Sequence, residues 1–247
     1  MSAQLTQNEM KELVGKGSID DLIKKGFIFS GMKIGLGTGS TAMWCVKQVA
    51  ARIADGTLKD IKAVSTSFQT TNACNELGIP VYDMNSPIIS GELDLAIDGA
   101  DEVDEKFNLI KGGGAALLNE KIVAYNSKIY AIVTDESKIV KTIGTGFALP
   151  VEIVPGARKS VERELGKLGA KCVLREGVRK CGPVITDNGN QILDCLWEKP
   201  IEPELMEEKI NSIVGVVENG LFSIPKPFVY VATSSGELKC LNSERYK

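Results

Sequence analysis

The sequence contains no histidine. That absence excludes Ser-His-Asp and Cys-His nucleophile systems, histidine metal sites and histidine general bases. Acid–base chemistry in this chain must run on carboxylates, lysines, tyrosines or cysteines. The six cysteines, at 45, 74, 172, 181, 195 and 240, form no C-x-x-C pair, and the closest two are nine residues apart. No metal site is expected from them; they read as reduced thiols buried as small apolar residues. No run of about 18 apolar residues occurs, so no membrane-spanning helix is expected. The opening stretch MSAQLTQNEMKELVGKGSIDD has no apolar secretion core, and a cytoplasmic protein is expected. The net charge is −3 and the basic residues are scattered, which leaves no positive field for nucleic acid or acidic lipid. Internal repeats and low-complexity segments are lacking as well.

What is present suits a globular protein. The 247 residues are 43% hydrophobic and 25% charged, enough for one large domain or two modest ones. Apolar periodicity predicts a helix over residues 8–26, with Gly15 and Gly17 weakening its middle. Strands over 32–36, 61–66, 79–82, 93–97 and 128–133 alternate with helices over 43–53, 70–77 and 115–126. That alternation predicts a Rossmann-like, mostly parallel sheet with helices on both faces. The rhythm changes near residue 144. Strands over 151–154, 172–175, 184–186, 192–196 and from 215, with helices over 158–168 and 204–213, read roughly as β-α-β-β-α-β with one additional short strand. That is a ferredoxin-like α+β pattern, with Asp187-Asn188-Gly189-Asn190 as a hairpin turn. Residues 228–232 and 238–241 return to strand character and are expected to rejoin the first sheet. The expected domains are therefore 1–143 with 228–247, and an inserted small domain over 144–227.

Two stretches carry chemistry. GLGTGST, 35–41, lies between a strand and a helix, where successive backbone amides form an anion cradle and the hydroxyls of Thr38, Ser40 and Thr41 add donors. The run Gly37 to Ala42 also fits the permissive G-x-G-x-x-A dinucleotide pattern. That pattern wants an acid at the end of the second strand, where this chain has Val64-Ser65-Thr66-Ser67. No lysine follows the last glycine, so it is not a Walker A loop. A small phosphate is the better fit, with a dinucleotide or a tight structural turn as alternatives. The second stretch is DGADEVDEKFNLIKGGGAALLNEK, 98–121. Asp98, Gly99, Ala100 and Asp101 form an acidic turn at a strand's carboxyl end, either binding polyol hydroxyls or serving as an ordinary turn. It lacks the spacing of a calcium loop. Lys111 precedes Gly112, Gly113 and Gly114, which cost stability in regular structure and suit close backbone approach to a ligand. Glu120 and Lys121 follow on the helix. Lys138 in DESK sits at another sheet edge and by itself reads as a surface lysine.

GLGTGSTA, DGADEVD, KGGGAALLNEK, DESK, PVEIVPGAR, VITDNGN and GVVENGLF together resemble the ribose-5-phosphate isomerase type A family, in order and spacing, from about residue 8 to residue 241. The family's last motif begins Pro-Gly-Val-Val; here Val214 stands in place of that proline. The resemblance implies reversible interconversion of D-ribose 5-phosphate and D-ribulose 5-phosphate through an enediolate, in the non-oxidative pentose phosphate pathway, with no metal and no cofactor. It implies Glu120 as the catalytic base, assisted by Lys111 and Asp98. Substrate binding falls on Thr38, Gly39, Ser40, Thr41, Asp98, Gly99, Ala100, Asp101, Lys111, Gly112, Gly113, Gly114 and Lys138, and on Lys11 in the first helix. A homodimer or homotetramer is implied too. Within this reading Lys111 and the glycine amides face the oxyanion, Asp98 and Asp101 orient hydroxyls, and Lys121 is structural or on the surface.

Other functions fit less well. A sugar-phosphate sensor would carry a helix-turn-helix module, for which no room is expected before the first strand. A nicotinamide dehydrogenase lacks its ribose-binding acid. Amino-sugar phosphate deaminases, which share the architecture, lean on a histidine that this chain does not have.

Overall fold

The first helix opens on a reciprocal cap. The Thr6 hydroxyl accepts from the Glu9 amide at 3.3 Å while the Glu9 carboxylate accepts from the Thr6 amide at 2.7 Å, so two amides with no partner in the first turn are satisfied. The structure is a computed structural model that describes residues 4–242. In chain order the elements begin with α1 (Gln7–Lys24), β1 (Lys33–Leu36), α2 (Ala42–Ala54), β2 (Lys62–Ser65), α3 (Phe68–Glu76) and β3 (Leu93–Gly99). Two short strands follow, β4 (Glu102–Val103) and β5 (Leu109–Ile110), then α4 (Leu117–Tyr125) and β6 (Ser127–Asp135). Next come β7 (Leu149–Ile153), α5 (Arg158–Lys167), β8 (Lys171–Leu174), β9 (Gln191–Leu196), α6 (Pro203–Asn211) and β10 (Val216–Asn219). The chain closes with β11 (Leu221–Phe222), β12 (Phe228–Ala232) and β13 (Leu238–Leu241).

The chain divides into two units. The first comprises the residues up to Gly99, Ile122–Lys138 and the residues from Pro225. Its sheet runs β13-β12-β6-β3-β1-β2 and is parallel except for β13. The tail thus rejoins the first sheet, as expected. Side chains alternate across a strand, and β1 shows what each face packs against. Ile34 and Leu36 are fully buried in one cluster with Val14 and Leu22 of α1 and Val46 and Val49 of α2. Gly35 points the other way, where an added Cβ would collide with Val123 of α4. Helices therefore cover both faces. Each such aliphatic side chain contributes about 1.5–3 kcal/mol by leaving water. Gly15 does not weaken α1: a side chain there would collide with Trp44 Cβ, so the glycine is what lets α1 and α2 pack closely.

The second unit comprises Ala100–Lys121 and Ile139–Ile224. Its four-stranded sheet runs β10-β7-β9-β8 with every pair antiparallel. Together with α5 and α6 that order is the ferredoxin-like arrangement expected. Val151, Ile153, Val161, Leu165, Leu193 and Ile210 form its core. A three-stranded antiparallel sheet, β11-β5-β4, was not foreseen. It accounts for the one large difference from the expected domain boundaries: residues 100–121 pair through β4 and β5 with β11 rather than with the six-stranded sheet. Residues 1–3 and 243–247 of the expected first domain lie outside the described residues.

Two expected strands do not form. Residues 79–82 make a single bridge, Ala63 to Val81, beside β2; Pro80 has no amide to continue a ladder. Over 184–186 the Val184 amide donates to the Arg175 carbonyl at 2.9 Å, beside a single Glu176–Pro183 bridge, and Thr186 is spent on the turn that follows. Thr186 N–H donates to the Asn190 carbonyl at 2.9 Å, and the Thr186 hydroxyl accepts from the amides of Asn188 and Asn190. The Asn-Gly turn forms, with Gly189 at φ +82, but β9 lies between β7 and β8, and the strand that precedes it in the chain is β8, reached through the long 175–190 connection.

Candidate active site

In the first unit, β1 delivers the chain into the turn 37–41 and α2 starts at Ala42. The leading amides of a helix have no carbonyl one turn back, so they point into this turn. Gly39 holds φ +96, a conformation costly for other residues. Gly37 has no room for a Cβ, which would fall on the Asp98 carboxylate. That close approach fixes Asp98 at the end of β3. It is buried, and its Oδ1 accepts from the amides of Thr38 at 3.0 Å and Gly99 at 2.7 Å. Thr38, Asp98 and Gly99 are thus brought together.

The Thr38 hydroxyl is anchored by residues that the sequence reading did not single out as binding groups. It lies 2.6 Å from Thr66 Oγ1 and donates to Ser67 Oγ at 2.7 Å, while Thr70 Oγ1 donates to the Gly37 carbonyl at 2.7 Å. Gln69 Oε1 accepts from the Gly39 amide at 3.2 Å. The Ser-Thr-Ser run noted for its missing acid was the available clue. Ser40 is exposed and Thr41 half-buried, with neither hydroxyl engaged in a hydrogen bond among the described residues. Lys11 and Lys138 are half-buried cations on α1 and on the 3-10 turn Glu136–Lys138 after β6. Cys45 lies within reach of the Asp98 charge. Burial first, and that charge second, push its thiol up to about 12, so it carries no thiolate at neutral pH.

In the second unit the chain leaves β5 directly into Lys111. Its amide donates to the Gly220 carbonyl at 2.9 Å, and a side chain at Gly220 would collide with the Lys111 carbonyl. The Lys111 ammonium and the Glu120 carboxylate are 3.2 Å apart, with only 2% and 5% of their side chains exposed. Glu120 stands in the first turn of α4, where the helix dipole favours an anion. Gly112 at φ +98 and Ala115 at φ 59 turn the chain into that helix. Asp101 Oδ2 accepts the Gly113 amide at 2.8 Å. One of the glycine donors expected to face an oxyanion is therefore held by a carboxylate.

Lys121, next in sequence, points elsewhere on the helix and is buried rather than on the surface. Its ammonium is 2.8 Å from Glu207 and 2.9 Å from Glu218. The pairing separates the two lysines chemically. Lys111 pairs with a carboxylate beside the glycine turn, whereas Lys121 closes an internal network. Among the described residues no group of three or more Cys, Asp or Glu converges as a metal site, and no helix is long and apolar enough to cross a membrane.

The family model of ribose 5-phosphate isomerase A (phosphoriboisomerase A) matches residues 62–236. The ribose-5-phosphate isomerase A of Treponema denticola is 54% identical over 236 residues, 95% of this chain and 99% of that protein. The solved structure of ribose 5-phosphate isomerase A from Methanocaldococcus jannaschii is 39% identical, with a TM-score of 0.86 over 96% of this chain and 99% of that one. A solved D-ribose-5-phosphate isomerase in complex with phospho-erythronic acid gives a TM-score of 0.89 at 39% identity, with the same coverage. Matched by the family model over more than half its length and by these relatives nearly end to end, the chain belongs to the ribose 5-phosphate isomerase A family.

Proposed function

We propose that this isomerase interconverts D-ribose 5-phosphate and D-ribulose 5-phosphate with Glu120 as the base that moves the proton between C2 and C1. The observation that carries the assignment is the buried Lys111–Glu120 pair at 3.2 Å. Removal of the C2 proton transfers negative charge from the carboxylate to the enediolate oxygen. Lys111 pairs with the carboxylate before the transfer and with the oxyanion after it, so the charge is balanced throughout. The hydroxyl proton on O2 passes to O1, and Glu120 then returns its proton to C1, which leaves the carbonyl at C2. No imidazole is needed, in keeping with the composition.

The turn Thr38–Thr41 receives the phosphate through amides at the start of α2 and the hydroxyls of Ser40 and Thr41, with Lys11 and Lys138 supplying positive charge. Asp98 and Asp101 orient sugar hydroxyls and assist ring opening. A phosphorylated four-carbon acid bound to a related isomerase supports a pentose 5-phosphate as substrate here. A cytoplasmic homodimer or homotetramer belongs to the same reading.

A structure with a bound pentose phosphate tests the base assignment directly. A Glu120 oxygen is expected within about 3.5 Å of both C1 and C2, and a carboxylate lying beyond reach of both carbons would refute it. Thr41→Ala is expected to raise KM for ribose 5-phosphate roughly tenfold by removing a hydrogen bond to a charged group, with kcat little changed. Steady-state kinetics with a coupled assay for ribulose 5-phosphate will show this, and an unchanged KM removes Thr41 from the phosphate site.

A further inference from the structure

Arg175 follows β8 and Asp194 lies on β9, and neither belongs to any motif that suggested the active site. The two side chains meet fork to fork. Arg175 Nε donates to Asp194 Oδ2 at 2.9 Å and Nη2 donates to Oδ1 at 2.5 Å. Such bidentate pairing locks the plane of the guanidinium. The remaining nitrogen, Nη1, donates to two successive carbonyls of the glycine turn, Gly112 at 3.0 Å and Gly113 at 3.1 Å.

Peptide geometry gives this contact a consequence. In a trans peptide the carbonyl and the amide of one plane point in opposite directions. The Gly112 carbonyl shares its plane with the Gly113 amide, and the Gly113 carbonyl shares its plane with the Gly114 amide. Both carbonyls converge on Arg175 Nη1, so both amides are turned away from it. The Gly113 amide marks that opposite side, since it donates to Asp101 at 2.8 Å. Gly114 is exposed, and its amide is aimed outward by the same clamp. With glycines at 112–114 the turn has unusual conformational freedom. A rigid guanidinium bridging two of its carbonyls removes that freedom where the amide direction matters.

We infer that Arg175, locked by Asp194, is a positioning residue for isomerisation: it fixes two peptide planes so that the Gly114 amide is presented as a donor to the substrate oxygen that gains negative charge. The inference rests on the reading of Asp101, Lys111 and Glu120 as parts of the active site. Arg175 itself makes and breaks no bond.

Arg175→Ala is expected to lower kcat about 10–100-fold, the scale of a misplaced catalytic group, while KM for ribose 5-phosphate changes less than about threefold. Guanidinium ion, at concentrations far below denaturing, should restore part of the lost kcat in Arg175→Ala and none in Glu120→Gln. Arg175→Lys offers a single ammonium that cannot both grip Asp194 and bridge two carbonyls, so its kcat should also stay below wild type. An unchanged kcat in Arg175→Ala, or a loss that guanidinium leaves untouched, overturns the inference. If the alanine variant does not fold, Arg175→Lys carries the test, and a folded lysine variant with wild-type kcat overturns it. The two readings fail separately. Normal turnover in Glu120→Gln would remove the active-site assignment, whereas an inactive Glu120→Gln beside an Arg175→Ala of normal kcat removes only the role of Arg175.

Discussion

Glu120→Gln is expected to lower kcat by about 10²–10⁴-fold, the usual contribution of a positioned base. Glutamine has nearly the same shape, and its carbonyl can still accept a hydrogen bond from Lys111. What it cannot do is carry a proton from C2 to C1. Burial sharpens the effect. With 5% of the Glu120 side chain exposed, bulk water has poor access to substitute as base. Binding of ribose 5-phosphate, measured by calorimetry, should remain within a few-fold of wild type, because the groups proposed for the phosphate lie in the turn 37–41 and are untouched. Proton NMR in D₂O adds a second readout: exchange of the transferred hydrogen with solvent should disappear together with turnover. Near-normal kcat, or exchange that persists without net isomerisation, would show that another group takes the proton. Glu120→Asp is the informative control. It keeps the carboxylate but draws it back by about one methylene, and a loss intermediate between wild type and glutamine is expected.

This prediction was open to the sequence because the chemistry is concentrated in short segments. Lys111, three glycines and Glu120 lie within ten residues, and the chain that leaves β5 and enters α4 has little choice about bringing them together. The turn proposed for the phosphate was legible for the same reason, as a Gly-Thr-Gly-Ser-Thr run between a strand and a helix. Legibility ended where pairing depends on tertiary register. Arg175 and Asp194 are 19 residues apart and meet through the β8–β9 ladder, whose long connection was read as a strand and a tight hairpin. The strands β4, β5 and β11 are each two residues long, too short to show a period of two. The hydroxyls of Thr66, Ser67 and Thr70 were visible as residues, but their hold on Thr38 follows only from the parallel pairing of β1 with β2. The small domain's ferredoxin-like pattern was legible despite the extra strand read at 184–186, because right-handed crossovers leave few ways to close a sheet built from two strand-helix-strand units.

Lys121→Met tests the other lysine and should act on stability rather than chemistry. Successive helix residues point about 100° apart, so Glu120 meets Lys111 while Lys121 reaches Glu207 and Glu218, at 2.8 and 2.9 Å. Those carboxylates are further tied into the second unit. Glu207 accepts from the amide and hydroxyl of Ser223, and Glu218 from Asn211 and the Asn219 amide. Removing the lysine leaves two largely buried carboxylates without their shared cation. Breaking a buried ion pair from one side costs about 3–5 kcal/mol. For a chain of this size that corresponds to a fall in the unfolding midpoint of about 6–20 °C. Methionine keeps the aliphatic stem against Phe222, whose ring centroid lies 4.9 Å from the ammonium, so the loss reports the charge more than the packing. Below the lowered midpoint, kcat should stay within a few-fold of wild type, in contrast to Glu120→Gln. Combining Lys121→Met with Glu218→Gln should cost less than the sum of the two single changes, because the second removes one of the charges that the first strands. A thermal midpoint unchanged in Lys121→Met would mean that water reaches Glu207 and Glu218 once the ammonium is gone, and that the network is dispensable for folding.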